Sequence, residues 1–264
     1  MIKFFRRIRY TLMEQNKTGK PAFAAGRYVK YAIGEIVLVV IGILFALQIN
    51  SWNQNRLERI EEIEILKSLH SDFFQTKSKV LETIKLQSRV VDYCSKMIRL
   101  MIEKNNFIYN DSFADYFFSG TLAYWRIEPV NGTYEALIGS GKTGILQNQD
   151  LSRLLAEFSA EIKYGFEDEN YSIELNTLLT EKASSYAPFL LNDKRILRTN
   201  GLKTGYSESE RNDAVKQHLN NTSFLGILYQ KSLMEKFRLE YQQNILEYVE
   251  KILVGIELEL KTKK

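Results

Sequence analysis

Nineteen consecutive residues, Tyr31–Ile49 (YAIGEIVLVVIGILFALQI), carry only two strongly polar side chains, Glu35 and Gln48, each near one end. As a helix rising ~1.5 Å per residue this stretch is about 28 Å long, close to the hydrocarbon thickness of a bilayer. From Val37 to Leu47 it has no polar face, and a helix packed in a soluble core normally keeps one. A secretory signal is the other competitor. The apolar region is long for one, and the following Leu-Gln-Ile-Asn-Ser-Trp-Asn lacks a small-x-small cleavage pattern. An uncleaved transmembrane helix over 31–49 is therefore expected.

Charge sets the expected orientation. The net charge of +4 is misleading, because residues 1–30 alone hold eight basic side chains and one acid, Glu14. Residues 50–264 are near neutral, which excludes the electrostatic footprint of a nucleic-acid binder. The positive-inside rule places the N-terminus in the cytoplasm and residues 50–264 in the periplasm, with the span in the inner membrane. Arg6, Arg7, Arg9 and Lys30 are expected to meet the inner headgroups, with Tyr31 and Trp52 as interfacial anchors. Phe4, Phe5, Ile8, Tyr10 and Leu12 interleave with the first basic residues, as in an amphipathic helix lying on an anionic leaflet.

Within the span, Gly34 and Glu35 together with Gly42-x-x-x-Ala46 form a small-residue face along which a partner helix can approach. The plainer reading of Glu35 is an acid that snorkels to the interface.

The remainder reads as helices. Only three prolines and fourteen glycines interrupt the chain, and none falls between Trp52 and Lys104. There Leu66, Leu69, Phe73, Thr76, Val80, Ile84, Gln87, Val91, Cys94, Ile98 and Met101 form one seam with two polar interruptions. Arg56, Glu58, Arg59, Glu61, Glu62 and Lys67 are expected on its solvated side. A second helix runs from an Asn110 or Asp111 cap to about Tyr124, with Phe113, Tyr116, Phe117, Phe118, Tyr124 and Trp125 as bundle core. A short helix follows at Thr133–Ile138. Asn148 caps a long helix to about Tyr186, bent at Gly165. Ser207-x-x-Glu210 opens a short helix to Leu219 by a capping box. A final helix spans Ser223 to Leu260, its seam drawn through Leu228, Met234, Phe237, Tyr241, Ile245, Tyr248, Ile252 and Ile256. The fold expected is all-α: a transmembrane helix, a long juxtamembrane helix and an extracytoplasmic bundle.

No motif for chemistry stands out. Gly139-Ser140-Gly141-Lys142-Thr143-Gly144 has Ala136 where a phosphate loop needs its first glycine, and a helix rather than a strand before it. His70 and Asp72, two positions apart on a helix, diverge too far to share a ligand, and His218 stands apart from both. Cys94, the only cysteine, lies on the seam as a small hydrophobe, or as a cross-link if that seam faces a second copy. No cofactor or metal is expected.

Ile8-Arg9-Tyr10, then Asn16-Lys17-Thr18-Gly19-Lys20 and YAIGEIVLVVIGILFALQINSWN, resemble the start of an uncharacterised single-pass membrane-protein family of flavobacteria and other Bacteroidetes-type bacteria, a domain of unknown function. Thr133-Tyr134-Glu135-Ala136-Leu137 and Ser140-Gly141 continue the resemblance more weakly, and Pro21 to Gly26 looks like an insertion. The resemblance implies an α-helical outer domain and no assigned activity.

These features favour a membrane-anchored helical binding or scaffold protein. Its partner would be another envelope protein, a lipid or a second copy, besides the lipid bilayer itself. No signalling domain accompanies the span, so a complete sensor in one chain is not expected. The alternatives are a tethered enzyme with a site around Trp125–Lys142 and the 188–206 loop, or a ligand-sensing bundle with a pocket between its helices.

Overall fold

The computed structural model describes residues 24–103, 108–186 and 206–262, and for 24–31 the backbone only. The expected interfacial helix with Arg6, Arg7 and Arg9, and nearly all of the 188–206 loop, lie outside the described residues. Every element described is helical, and the fold is all-α.

Two compact units divide the chain, Met1–Ile60 and Glu61–Lys264. Helix α1, Ala24–Glu103, is assigned without a break through the boundary. Within the first unit its side chains from Ala32 to Glu58 are all exposed.

The second unit is built on the remainder of α1 and the last helix, α7 (Thr222–Thr262), which run antiparallel. Lys77 pairs with Glu250 at 2.8 Å and Gln87 with Glu235 at 2.6 Å, so the two numbers rise and fall oppositely along the pair. Between them come α2 (Asp111–Ala114, passing into a π-helical turn Asp115–Thr121), α3 (Gly132–Gly139), a 3-10 turn (Thr143–Ile145), α4 (Gln149–Tyr164), α5 (Glu169–Ala183) and α6 (Glu208–Leu219).

The helix starts follow local chemistry. Asn110, Asn148 and Asn221 each accept, through Oδ1, the backbone N–H three residues on, at 2.9, 2.9 and 3.0 Å. Ser207 and Glu210 complete a capping box in front of α6. Gly141, at φ +69°, takes the left-handed position that ends α3, and Lys142 N–H closes back on Leu137 O at 3.1 Å.

Four expectations about helices and burial are corrected. The second helix stops at Thr121, and its last seven residues are π-helical: Leu122 N–H reaches Phe117 O, five residues back, and Gly120 lets the turn press on Tyr93. Phe113 and Phe117 are core, whereas Trp125 is exposed and Tyr124 half-buried. The long helix expected from Asn148 to Tyr186 is two, because Gly165 ends α4 outright and α5 begins afresh at Glu169. The restart changes the helical phase, so Leu175 and Leu179 point inward while Ile173 and Leu178 turn to solvent. Glu62, expected on the solvated side, is buried, because its carboxylate accepts Gln147 N–H at 2.9 Å.

The α1 seam shifts by one residue past Gln87: Val90 and Met97 are buried, Val91 and Ile98 only half-buried. Two apolar cores result. One joins Leu66, Leu69, Phe73 and Val80 of α1 to Leu151, Leu155 and Phe158 of α4 and Ile245, Val249, Ile252 and Ile256 of α7. The other joins Val90, Cys94, Met97 and Met101 to Phe113, Phe117, Leu179, Val215, Phe224 and Leu228. A polar layer separates them.

Candidate functional site

The polar layer is a consequence of helix phase. Along the middle of α7 the buried positions are Leu228, Lys231, Ser232, Glu235, Arg238, Gln242 and Ile245, spaced by threes and fours with one adjacent pair. The seam drawn through Met234 and Phe237 from apolar residues alone is wrong in its middle, and Phe237 is half exposed. Extending the phase from Leu228 to Ile245, whatever the residue type, would have found the layer.

Its centre is a buried ion network. Lys231 and Glu235 are fully buried, and Arg238 and Gln242 nearly so. Lys231 Nζ donates to Ala123 O at 2.7 Å and to Asn176 Oδ1 at 2.5 Å, and pairs with Glu235 Oε1 at 3.4 Å. Glu235 Oε2 accepts Gln87 Nε2 at 2.6 Å and lies 3.5 Å from Arg238 Nη1. Arg238 Nη2 donates to Trp125 O, and the guanidinium stacks on the Tyr124 ring at 3.6 Å. Burial pulls the Lys231 ammonium below the ordinary lysine value, against the opposing pull of Glu235. The network ties α1, α5, α7 and the 122–126 segment to one register. A purely structural role of this kind is the plain reading of a buried ionic layer.

The layer opens to solvent at one end. A cleft of about 290 Å³ lies between residues 126–129, the α4–α5 junction and α7. Phe166 and Tyr241, their rings tilted by 37° with centroids 5.7 Å apart, form its apolar wall. Arg126 and Glu169, paired at 3.4 Å, stand at its mouth, and Glu169 also accepts the Tyr124 hydroxyl at 3.4 Å. Arg238 and Gln242 form its inner end, and Gln242 Oε1 is buried without a hydrogen-bond partner. Tyr241 donates its hydroxyl to Glu161 O at 2.9 Å, and burial pushes its phenol up to about 12, so it stays protonated. The cleft falls within the Trp125–Lys142 connection on its 126–129 side.

The residues singled out in the span stand differently. Gly34, Glu35, Gly42, Ala46 and Trp52 are exposed on α1, and nothing lies within 4 Å of where a side chain on Gly34 or Gly42 would begin. Lys30 and Tyr31 are on the same helix, with only their backbone described.

The remaining motifs take structural places. Lys142 of the glycine-rich stretch binds Glu61 at 2.7 Å. His70 lies at the surface 3.5 Å from Glu257. His218 is fully buried among Phe113, Phe117, Tyr186 and Phe224, with ring centroids 6.2, 4.8, 5.2 and 4.2 Å away and neither ring nitrogen hydrogen-bonded. Cys94 is buried in the second core, and burial pushes its thiol up to about 12. Among the described residues no three His, Cys, Asp or Glu side chains converge as a metal site would require.

No curated protein and no solved structure matches this chain. A family model described as a family of unknown function (DUF6090) matches residues 35–198, more than half of the sequence. The matched region runs from within the apolar stretch of α1 through α5 and so includes the α1 and α5 sides of the polar layer, and the chain belongs to this family of unknown function.

Proposed function

We propose that this chain is a single-pass, membrane-anchored binding protein whose helical unit, Glu61–Lys264, lies outside the cytoplasmic membrane. One observation carries the anchor. Val37, Leu38, Val39, Val40 and Ile41 are five successive residues, each between 41% and 57% exposed, and five successive positions cover the full circumference of a helix. No face of this segment is packed by the described residues, and its apolar window has a mean hydropathy of 2.5. A helix that is apolar all round and unpacked has hydrocarbon as its natural solvent. The basic residues before it support an N-terminus on the cytoplasmic side. The open polar cleft and the lack of any recognised catalytic motif support binding as the role of the helical unit.

The test is topology and extraction of the full chain in a Gram-negative host. Alkaline carbonate should leave it in the membrane pellet, and deletion of 31–49 should release it. Alkaline phosphatase fused after Lys264 should be active, and a green fluorescent protein at the same place dark. Carbonate release of the intact chain, or the reverse fusion pattern, refutes the reading. In-cell cross-linking then compares the intact and span-deleted chains, and a stoichiometric partner captured by the first alone supports a binding role at the membrane.

A further inference from the structure

The cleft beside the buried ion network has properties that a layer serving only helix register does not need. Its inner end holds Gln242, only 2% exposed, with an amide oxygen that no described residue satisfies. A buried acceptor left unpaired is costly, and one lining a cleft is satisfied by whatever donor enters it. The same end presents Arg238, already oriented by Glu235, Trp125 O and the Tyr124 ring. The mouth presents Arg126, whose side chain is 63% exposed and paired with Glu169.

Charge selects among ligands. Arg126, Lys163 and Arg238 line the cleft together with Glu128 and Glu169, and Glu235 lies directly behind Arg238. That near balance disfavours phosphate or a polyanion, which would meet the carboxylates as well as the guanidinium groups. It suits a molecule carrying both signs a few ångströms apart. The wall of Phe166 and Tyr241 offers an apolar, π-rich surface to the rest of such a molecule. A volume of about 290 Å³ holds a molecule of amino-acid size.

We propose that the cleft between residues 126–129, the α4–α5 junction and α7 binds a free amino acid with an apolar or aromatic side chain. Arg126 and Arg238 take the carboxylate, because a planar guanidinium matches it in a bidentate fork. Gln242 Oε1 accepts from the ammonium, and the Phe166–Tyr241 pair carries the side chain. The inference rests on the reading of the helical unit as a binding module, and is independent of membrane topology.

The experiment is thermal denaturation of the full chain in nanodiscs, with each of the twenty amino acids at about 10 mM. A ligand present at about 100 times its dissociation constant should raise the Tm by about 5–10 °C. Phenylalanine, tyrosine or leucine should give the largest shift, and their methyl esters and N-acetyl derivatives none. Arg126→Ala and Gln242→Leu should each weaken binding by tenfold or more by isothermal titration calorimetry. Arg126 is largely exposed, so Arg126→Ala retains the Tm of the unliganded protein and separates lost binding from lost folding. Absence of a shift with all twenty compounds overturns the proposal, as does a shift kept by both blocked derivatives or by Arg126→Ala. Failure here with an intact cross-linked partner would remove the amino-acid site and leave the binding reading standing.

Discussion

Acidification from pH 7 to pH 5 should destabilise the helical unit through one residue, His218. Its imidazole is fully buried in a cage of Phe113, Phe117, Tyr186 and Phe224, and among the described residues neither nitrogen has a hydrogen-bond partner. Burial pushes its pKa from 6.5 down to about 4, since an imidazolium there would lose its hydration. The unfolded chain has no such restriction and takes up the proton near pH 6.5. Protons therefore bind the unfolded state first as pH falls. The stabilisation is complete above the unfolded value and is lost progressively down to about pH 4. Over the whole interval the loss is about 3 kcal/mol, and between pH 7 and pH 5 about 2 kcal/mol. For a unit of this size that lowers the Tm by about 4–8 °C. Near-UV circular dichroism of the full chain in nanodiscs, melted at pH 7, 6 and 5, reads the effect. His218→Leu should be at least as stable at pH 7 and lose less than a quarter as much on acidification, and His70→Gln should follow the wild type. Parallel losses in wild type and His218→Leu would refute the argument, because the proton uptake would then belong to other groups.

Three further outcomes are expected. Glu235→Ala leaves Lys231 and Arg238 buried without their carboxylate and should cost about 3–5 kcal/mol in urea denaturation, whereas Lys231→Met, Glu235→Leu and Arg238→Met combined should cost much less; a loss in the triple variant as large as in Glu235→Ala would refute the unpaired charges as its cause. Gly120→Ala drives a methyl group into Tyr93 Cβ on α1 and should cost about 1–3 kcal/mol by the same assay, while Gly139→Ala, in open space, should cost less than about 1 kcal/mol. Cys94, with its thiol pushed up to about 12 in the second core, should resist maleimide at pH 7.5 for hours and react within minutes in urea; rapid labelling of the native chain would place it outside the core.

Much of this architecture is written locally. A cap depends on one side chain and a backbone N–H three residues away, so Asn148, Asn221 and the Ser207–Glu210 box could be read from the chain alone. The ends of helices depend on tertiary contacts and were read less well. The π turn at Asp115–Thr121 sets Gly120 against Tyr93, a neighbour 27 residues away in sequence. The α1 interruptions Thr76 and Gln87 were visible as polar residues in an apolar seam, but their partners were not. Thr76 exchanges hydrogen bonds with both backbone groups of Val130, and Gln87 meets Glu235. The cleft was the least legible feature. Its walls come from three stretches that no spacing rule connects, and its inner face was hidden by reading the middle of α7 through its apolar residues.

The pairing of the first and last helices also has a consequence in time. Gln87 meets Glu235 across a separation of 148 residues, and His70 meets Glu257 across 187. At a synthesis rate of about 5–20 residues per second, the inward face of α1 waits roughly 7–30 s for the segment that covers it. During that wait Leu66, Leu69, Phe73, Val90 and Met97 form an apolar stripe on a long helix with its final neighbour still unmade. The nascent chain must therefore be shielded by a holdase, by the membrane surface or by its own middle helices, and a truncation before Thr222 should be held by chaperones and degraded rather than accumulate folded.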